Sequence, residues 1–146
     1  MKEDIFHLGV KAILRNRAGE ILILRVNLET FTGRKTPEHW DLPGGRIQKG
    51  EKSIEVALRR EVEEEIGVKN IKNIKLLDAS ISKMRLSFMD AGLILFTYLC
   101  EIDKAAQIKL VDDEHTEFKW VIPKEAAKLL STKFSDSLIN IIKNLK

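Results

Sequence analysis

Apolar residues run almost without interruption from Leu8 to Leu14 and again from Ile21 to Val26, with Asn16-Arg17-Ala18-Gly19 between them. Two branched runs of this length around a polar, glycine-bearing turn predict a β-hairpin, Leu8–Arg15 with Glu20–Val26. From Asn27 to His39 the chain is polar and contains Gly33 and Pro37, which predicts a long loop of the kind that often carries function. Trp40-Asp41-Leu42 reads as a short strand broken by Pro43-Gly44-Gly45. In Ser53–Ile66 the period changes: Ile54, Leu58, Val62 and Ile66 recur every fourth residue and make the apolar stripe of a helix. Ser53 suits its N-cap, and Gly67 its C-terminal stop. Ile71–Ser82 and Ala91–Ile102 return to strand patterns, joined by a polar turn over Lys83 to Asp90, and Glu117–Ile122 forms a further short strand. Pro123 opens a helix through Leu130, and Ser135 caps an amphipathic helix from Asp136 to Leu145. Strands, a helix, more strands and two helices predict a mixed sheet with helices packed against it, in the α+β or α/β class.

The chain has 146 residues, enough for one domain spanning 1–146 with a single ordinary core. At 44% hydrophobic and 32% charged residues it is too apolar for a disordered chain. A net charge of +3, with basic residues scattered along the chain, gives no basis for nucleic-acid binding. Cys100 stands alone inside Leu93–Ile102 with no histidine nearby, so it reads as a buried core thiol and not as a nucleophile. The N-terminal residues lack a signal-peptide pattern, and no run approaches the ~18 apolar residues of a membrane span. A cytoplasmic protein without membrane attachment is expected.

The helix composition carries the chemistry. Arg60-Glu61-Val62-Glu63-Glu64-Glu65 crowds carboxylates together, and Glu61, Glu64 and Glu65, at i, i+3 and i+4, share one face. Carboxylates converging at the edge of a core repel one another and are costly to desolvate. A hard divalent cation removes that penalty, because it prefers oxygen ligands. A solvated acidic face is the plainer reading of such a helix taken alone. Pro43-Gly44-Gly45 changes the balance: a sharp glycine turn exposes carbonyls and amides just upstream, with Glu51 in the intervening loop. A turn feeding an acidic helix suits a metal and a diphosphate.

Gly45 through Val68 resembles the Nudix box, G-x5-E-x7-R-E-U-x-E-E-x-G-U with U aliphatic. Gly45 and Glu51 match its opening, and Arg60-Glu61-Val62-Glu63-Glu64-Glu65-Ile66-Gly67-Val68 matches its close at every specified position. Trp40-Asp41-Leu42-Pro43-Gly44 also resembles the usual approach to the box. One departure stands out: eight residues, not seven, separate Glu51 from Arg60. Placing the extra residue at Lys52, ahead of the Ser53 cap, leaves the helix undisturbed but puts the position of Glu51 in question. An insertion within the helix would rotate its carboxylate face by about 100°.

The resemblance implies the Nudix fold, a mixed sheet sandwiched between helices, and a hydrolase that cuts a diphosphate linkage in a nucleoside diphosphate-X substrate. It implies that Glu61, Glu64, Glu65 and the Gly44 carbonyl hold magnesium, with manganese as the alternative. Arg60 resembles the family arginine that orients a box glutamate. The general base of such enzymes often comes from a loop outside the box. Here Asp112-Asp113-Glu114-His115-Thr116-Glu117-Phe118-Lys119-Trp120-Val121 resembles the acidic loop leading into a tryptophan-bearing strand. Glu117 is the first choice for the base and Glu114 the second, His115 is a third option, and Phe118 and Trp120 read as core.

Substrate markers are sparse. Family subgroups for ADP-ribose and for dinucleoside polyphosphates carry a proline or a tyrosine shortly beyond the box, and Ile81-Ser82-Lys83-Met84-Arg85-Leu86 has neither. A nucleoside triphosphate, intact or oxidised, giving a monophosphate and pyrophosphate is therefore expected, with ADP-ribose and dinucleoside polyphosphates as alternatives. Arg34, Lys35, Lys83 and Arg85 are candidate phosphate contacts, and Phe31 and Phe88 candidate base-stacking residues. A nucleotide-sensing module that does not cleave is the alternative of another class. The expected partner is a small nucleotide, with the chain a monomer or homodimer.

Overall fold

The computed structural model describes residues 1–31, 37–103 and 106–146. The candidate phosphate contacts Arg34 and Lys35 lie outside the described residues, as does the side chain of Phe31.

Among the described residues the strands are β1 (Phe6–Arg15), β2 (Ile21–Val26), β3 (Trp40–Asp41), β4 (Gly44–Arg46), β5 (Ile71–Ile81), β6 (Gly92–Ile102) and β7 (His115–Val121). The helices are α1 (Ile54–Ile66), α2 (Pro123–Leu130) and α3 (Asp136–Lys143), with 3₁₀ turns at Leu28–Phe31 and Ser87–Met89. The path β3-β2-β1-β6-β5 forms one mixed sheet, with β4 added on β1 and β7 on β2. Among the described residues only β1 and β6 run parallel, paired from Phe6↔Gly92 to Arg15↔Glu101.

The first two strands depart from a simple hairpin. They meet at Arg15↔Ile21, next to the Asn16–Glu20 turn, and then diverge. Each spends its length on another partner: β1 on β6, and β2 on β7 from Ile21↔Val121 to Val26↔His115. The wedge between them is filled by Trp40–Arg46. β3 pairs with β2 at Leu24↔Asp41, and the chain then crosses to pair Gly44–Arg46 with Gly9–Lys11 of β1. The glycines expected to end a strand therefore form one, because the divergent β1 edge supplies its hydrogen bonds.

Both faces of the sheet are covered. Val10, Ala12, Leu14, Leu22 and Leu24 pack on Ala57, Leu58, Val62 and Ile66 of α1. The alternate positions Ile13, Ile21 and Ile23, with Leu93 and Leu95, pack on Ala126, Leu130, Phe134, Leu138 and Ile142 from the α2–α3 side. Burial on two faces explains why β1 and β2 read as continuous apolar runs. Cys100 is fully buried, and burial pushes its thiol up to about 12. Phe118 departs from its expected core position. It is 39% exposed on β7, whereas Trp120, two residues further along the same face, is half-buried against the α1 side.

Candidate active site

The wedge between β1 and β2 opens into a cleft of about 670 Å³ bordered by Lys11, Asp41, Gly44, Gly45, Glu61, Glu65, Glu114, His115 and Lys133. Its floor is a buried charge cluster. The Asp41 carboxylate takes Lys11 Nζ at 3.1 Å and Lys133 Nζ at 2.7 Å, and also accepts the Leu42 N–H at 2.7 Å. Lys11 Nζ donates further to the carbonyls of Leu42 (3.2 Å) and Gly44 (3.3 Å). Burial opposes the charge on Asp41, but the two ammonium groups outweigh it and hold the carboxyl below its ordinary range. Lys11 is likewise burdened by burial, yet Asp41 and Glu65 raise it, while burial lowers Lys133.

Above this floor the glycine strand meets α1. Ser53 caps the helix, its Oγ accepting the Val56 N–H at 3.1 Å, and Gly67 ends it with an N–H to the Glu63 carbonyl at 2.9 Å. The buried residues of α1 are Ala57, Leu58, Val62, Ile66 and one carboxylate, Glu65. The Gly44 N–H donates to Glu65 Oε1 in a short hydrogen bond. Gly44 has φ +145°, and a Cβ there would stand 2.0 Å from the Val10 carbonyl, so only glycine fits beside β1. At Gly45 a Cβ would lie 2.6 Å from Glu61 Cδ, so the missing side chain makes room for that carboxylate. Burial raises Glu65 well above the usual carboxylate range; burial also raises Glu61, with Arg60 acting in opposition.

Arg60 gathers the remaining box carboxylates. Its Nε and Nη2 donate to the two Glu51 oxygens at 2.8 Å each, and its Nη1 donates to Glu61 (2.8 Å) and Glu64 (3.1 Å). The extra residue is taken up before the Ser53 cap, and Glu51 keeps a bidentate grip on Arg60. Hydrogen bonding from Arg60 and from the Gln48 N–H lowers Glu51 to about 2. Glu64 is the outlying member, more than half exposed.

The opposite wall is the segment entering β7. Glu114, Asp112 and His115 border the cleft, and their donor atoms lie with that of Glu65 within 4.8 Å of one another. Partial burial, with Asp112 nearby, raises Glu114. Glu117, the first choice from sequence, stands elsewhere: it is exposed on β7, opposite Arg25 across the β2 ladder, and does not border the cleft. β7 begins at His115, two residues earlier than predicted, and the register shift opposite Arg25 and Val26 separates His115, at the cleft, from Glu117, which does not border it. Arg85 borders the cleft while held by Asp4 (2.6 Å), and Phe88 lies on the same wall under the Arg46 guanidinium. Lys83 does not border it; its Nζ pairs with Asp136 at 2.7 Å.

Sequence reasoning missed Lys11, Asp41, Lys133 and Asp112. The available signal was Lys11, a lone charge inside an apolar strand on a two-sided sheet. For a divalent ion the donors at the glycine strand are all oxygens: the Glu61 and Glu65 carboxylates and the Gly44 carbonyl, which keeps a lone pair beside its contact with Lys11. A buried carboxylate with one hydrogen bond and a second held in a side-chain-free cradle fit a hard cation such as magnesium.

No helix among the described residues is long and apolar enough to cross a membrane. The NUDIX domain model matches residues 5–144. Nudix hydrolase 6 of Arabidopsis thaliana is 33% identical over 78% of this chain, which spans only 38% of that relative's length. RNA pyrophosphohydrolase of Pelagibacter ubique is 28% identical over 74% of this chain and 76% of its own. The crystal structure of a MutT protein from Methanosarcina mazei Go1 superposes with a TM-score of 0.70 at 25% identity, covering 98% of this chain and 94% of that one. With the family model spanning nearly the whole chain and Gly45, Glu61, Glu64 and Glu65 of the box bordering one cleft, the chain belongs to the NUDIX domain family.

Proposed function

We propose that this chain is a metal-dependent pyrophosphohydrolase that cuts a diphosphate linkage in a nucleotide, with a nucleoside triphosphate going to monophosphate and pyrophosphate as the preferred reaction. The observation that carries the reading is the fit of Glu61 and Glu65 to the Gly44–Gly45 strand, one carboxylate bonded to its amide and the other nested where a side chain is missing. Glu61, Glu64, Glu65 and the Gly44 carbonyl would hold magnesium, or manganese in its place. Such an ion supplies Lewis-acid stabilisation of charge at phosphorus and lowers the pKa of the attacking water.

The chain's own residues have separable tasks. Arg60 fixes Glu51, Glu61 and Glu64 relative to one another and offsets their repulsion. Lys11 braces the Gly44 carbonyl from below, and Asp41 with Lys133 braces Lys11. Glu114, whose carboxyl is raised by partial burial and by Asp112 at the cleft wall, accepts the proton of the attacking water. Arg85 meets the phosphates, and Phe88 offers its ring to the base. A cleft of about 670 Å³ suits a mononucleotide.

The test is chromatographic product analysis with magnesium across nucleoside triphosphates (monophosphate and pyrophosphate), ADP-ribose (AMP and ribose 5-phosphate) and dinucleoside polyphosphates (two mononucleotides). Turnover of triphosphates that stops on chelation is the expected result. Turnover of another class alone would overturn the substrate assignment. Nucleotide binding with no turnover of any compound would favour a sensing module over an enzyme.

A further inference from the structure

We propose that Glu65, Asp112 and His115 form a site for a divalent transition-metal cation, next to the oxygen-only donors of the glycine strand. It deepens the metal-dependent reading of the cleft, with which it shares Glu65, but its evidence is metal binding and does not need turnover.

His115 is 8% exposed, and among the described residues its Nδ1 has no hydrogen-bond partner. The atom stands 3.6 Å from Glu65 Oε2 and 3.5 Å from Asp112 Oδ1. These separations are too long for hydrogen bonds. They match the edge of a tetrahedron, about 3.4 Å when donors stand about 2.1 Å from a central ion. A buried ring nitrogen with nothing to bond is costly, and an ion shared with two carboxylates removes that cost. Glu65 is divided to suit: Oε1 takes the Gly44 N–H, and Oε2 faces the histidine. Glu114, the fourth group within 4.8 Å, sits at the exposed rim and remains available as a proton acceptor.

The donors are held in place before any ion arrives. The N–H groups of Lys109 and Val111 bond the Ile66 and Glu65 carbonyls at 3.1 and 3.0 Å, using the free acceptors at the end of α1. From the other side, Asn27 bonds the Glu114 carbonyl through its N–H (2.7 Å) and the Asp113 carbonyl through Nδ2 (2.8 Å). The register shift between Arg25 and Val26, opposite the start of β7, turns His115 inward. The segment is thus clamped between α1 and β2, with Asp112 and His115 facing Glu65.

The donor chemistry separates this site from its neighbour. One imidazole nitrogen with carboxylates favours zinc, whereas magnesium and manganese suit oxygen ligands. Calorimetric titration of the chelator-stripped chain with Zn²⁺, and separately with Mg²⁺, tests the proposal, alongside NMR of the imidazole nitrogens of His7, His39 and His115. Zn²⁺ is expected to move the His115 resonance and Mg²⁺ to leave it in place. His115→Gln and Asp112→Asn should each weaken Zn²⁺ binding at least about tenfold. Should His115→Gln fail to fold, Asp112→Asn carries the test, because Asp112 lies on a partly exposed segment. Unchanged Zn²⁺ affinity in the folded variants, or a shift at His7 or His39 instead, would overturn the site. Zn²⁺ binding at His115 in a chain without magnesium-dependent turnover would overturn only the hydrolase reading.

Discussion

Gly45 and Glu61 are matched to each other: a methyl group on Gly45 would stand within 2.7 Å of both carboxylate oxygens and the carboxyl carbon of Glu61. The absence of one side chain therefore sets the position of another, and the glycine acts on chemistry through the space it leaves. Gly45 does not need the left-handed backbone that Gly44 adopts, so alanine there is compatible with folding. Gly45→Ala should displace Glu61 and lower metal affinity or turnover by about 10- to 100-fold, the range for groups that orient metal ligands. Metal titration with thermal unfolding would check this. A folded variant with wild-type affinity would separate the glycine from the metal site.

Arg60 uses three nitrogens on three carboxylates, which a lysine cannot copy. Arg60→Lys keeps the charge and loses the fork. Its expected effect is again about 10- to 100-fold on metal affinity, from misplacement of Glu61. If affinity follows charge alone, Arg60→Lys will resemble wild type and Arg60→Ala will not.

Helix α1 was legible because its signals are local. The stripe, the Ser53 cap and the Gly67 stop lie within one segment, so the box carboxylates on it could be located from spacing. The partners of the strands were not legible in the same way. The Leu8–Arg15 and Glu20–Val26 segments are indeed strands, but β1 pairs with β6, far along the chain, and no local pattern encodes that choice. β4 is a strand only because the diverging β1 edge accepts it, against the low strand propensity of glycine. Lys11, Asp41 and Lys133 come from β1, β3 and the turn after α2, and meet only when the fold closes.

Asp41 should be a stability residue as well as a site residue. Its carboxyl is held below the ordinary range by two ammonium groups, against the effect of burial. A depressed carboxyl contributes stability that is present above its unfolded pKa and fades as pH falls through its folded one. Asp41→Asn leaves Lys11 and Lys133 buried without their counter-ion, and should cost about 3–5 kcal/mol at neutral pH. Denaturant melts across pH would show the gap from wild type narrowing below the normal carboxylate range. A gap constant in pH would mean that packing, not charge, accounts for the loss.

Glu65 should behave in the opposite sense. Burial raises its carboxyl, so the folded chain loses stability as pH rises past the ordinary carboxylate value and Glu65 must ionise. Glu65→Gln retains an oxygen for the Gly44 N–H and removes the charge. In chelator the variant should melt higher than wild type, at about 2–4 °C for each kcal/mol recovered. Adding magnesium should raise the wild-type Tm and leave that of the variant unmoved, with turnover lost. A variant that melts lower in chelator would show that Lys11 already compensates the buried charge.

The general base can be decided between two glutamates three residues apart. Glu114 borders the cleft within 4.8 Å of the donor atoms of Glu65, Asp112 and His115, and its carboxyl is raised by partial burial and by Asp112. Glu117 is exposed beside Arg25 on the β7 ladder. A group that takes a proton from water in the transition state contributes about 10²–10⁴-fold. Glu114→Gln should therefore lower kcat by at least about 100-fold with little change in KM, and flatten the acid limb of the pH–rate profile. Glu117→Gln should leave kcat and that limb near wild type. Both variants alter surface carboxylates, so neither is expected to unfold, and a shared loss of general stability cannot mimic the difference. If the Glu117 variant loses the acid limb and the Glu114 variant retains it, β7 must shift its register when substrate binds, and the base would then lie on the strand and not on the segment before it.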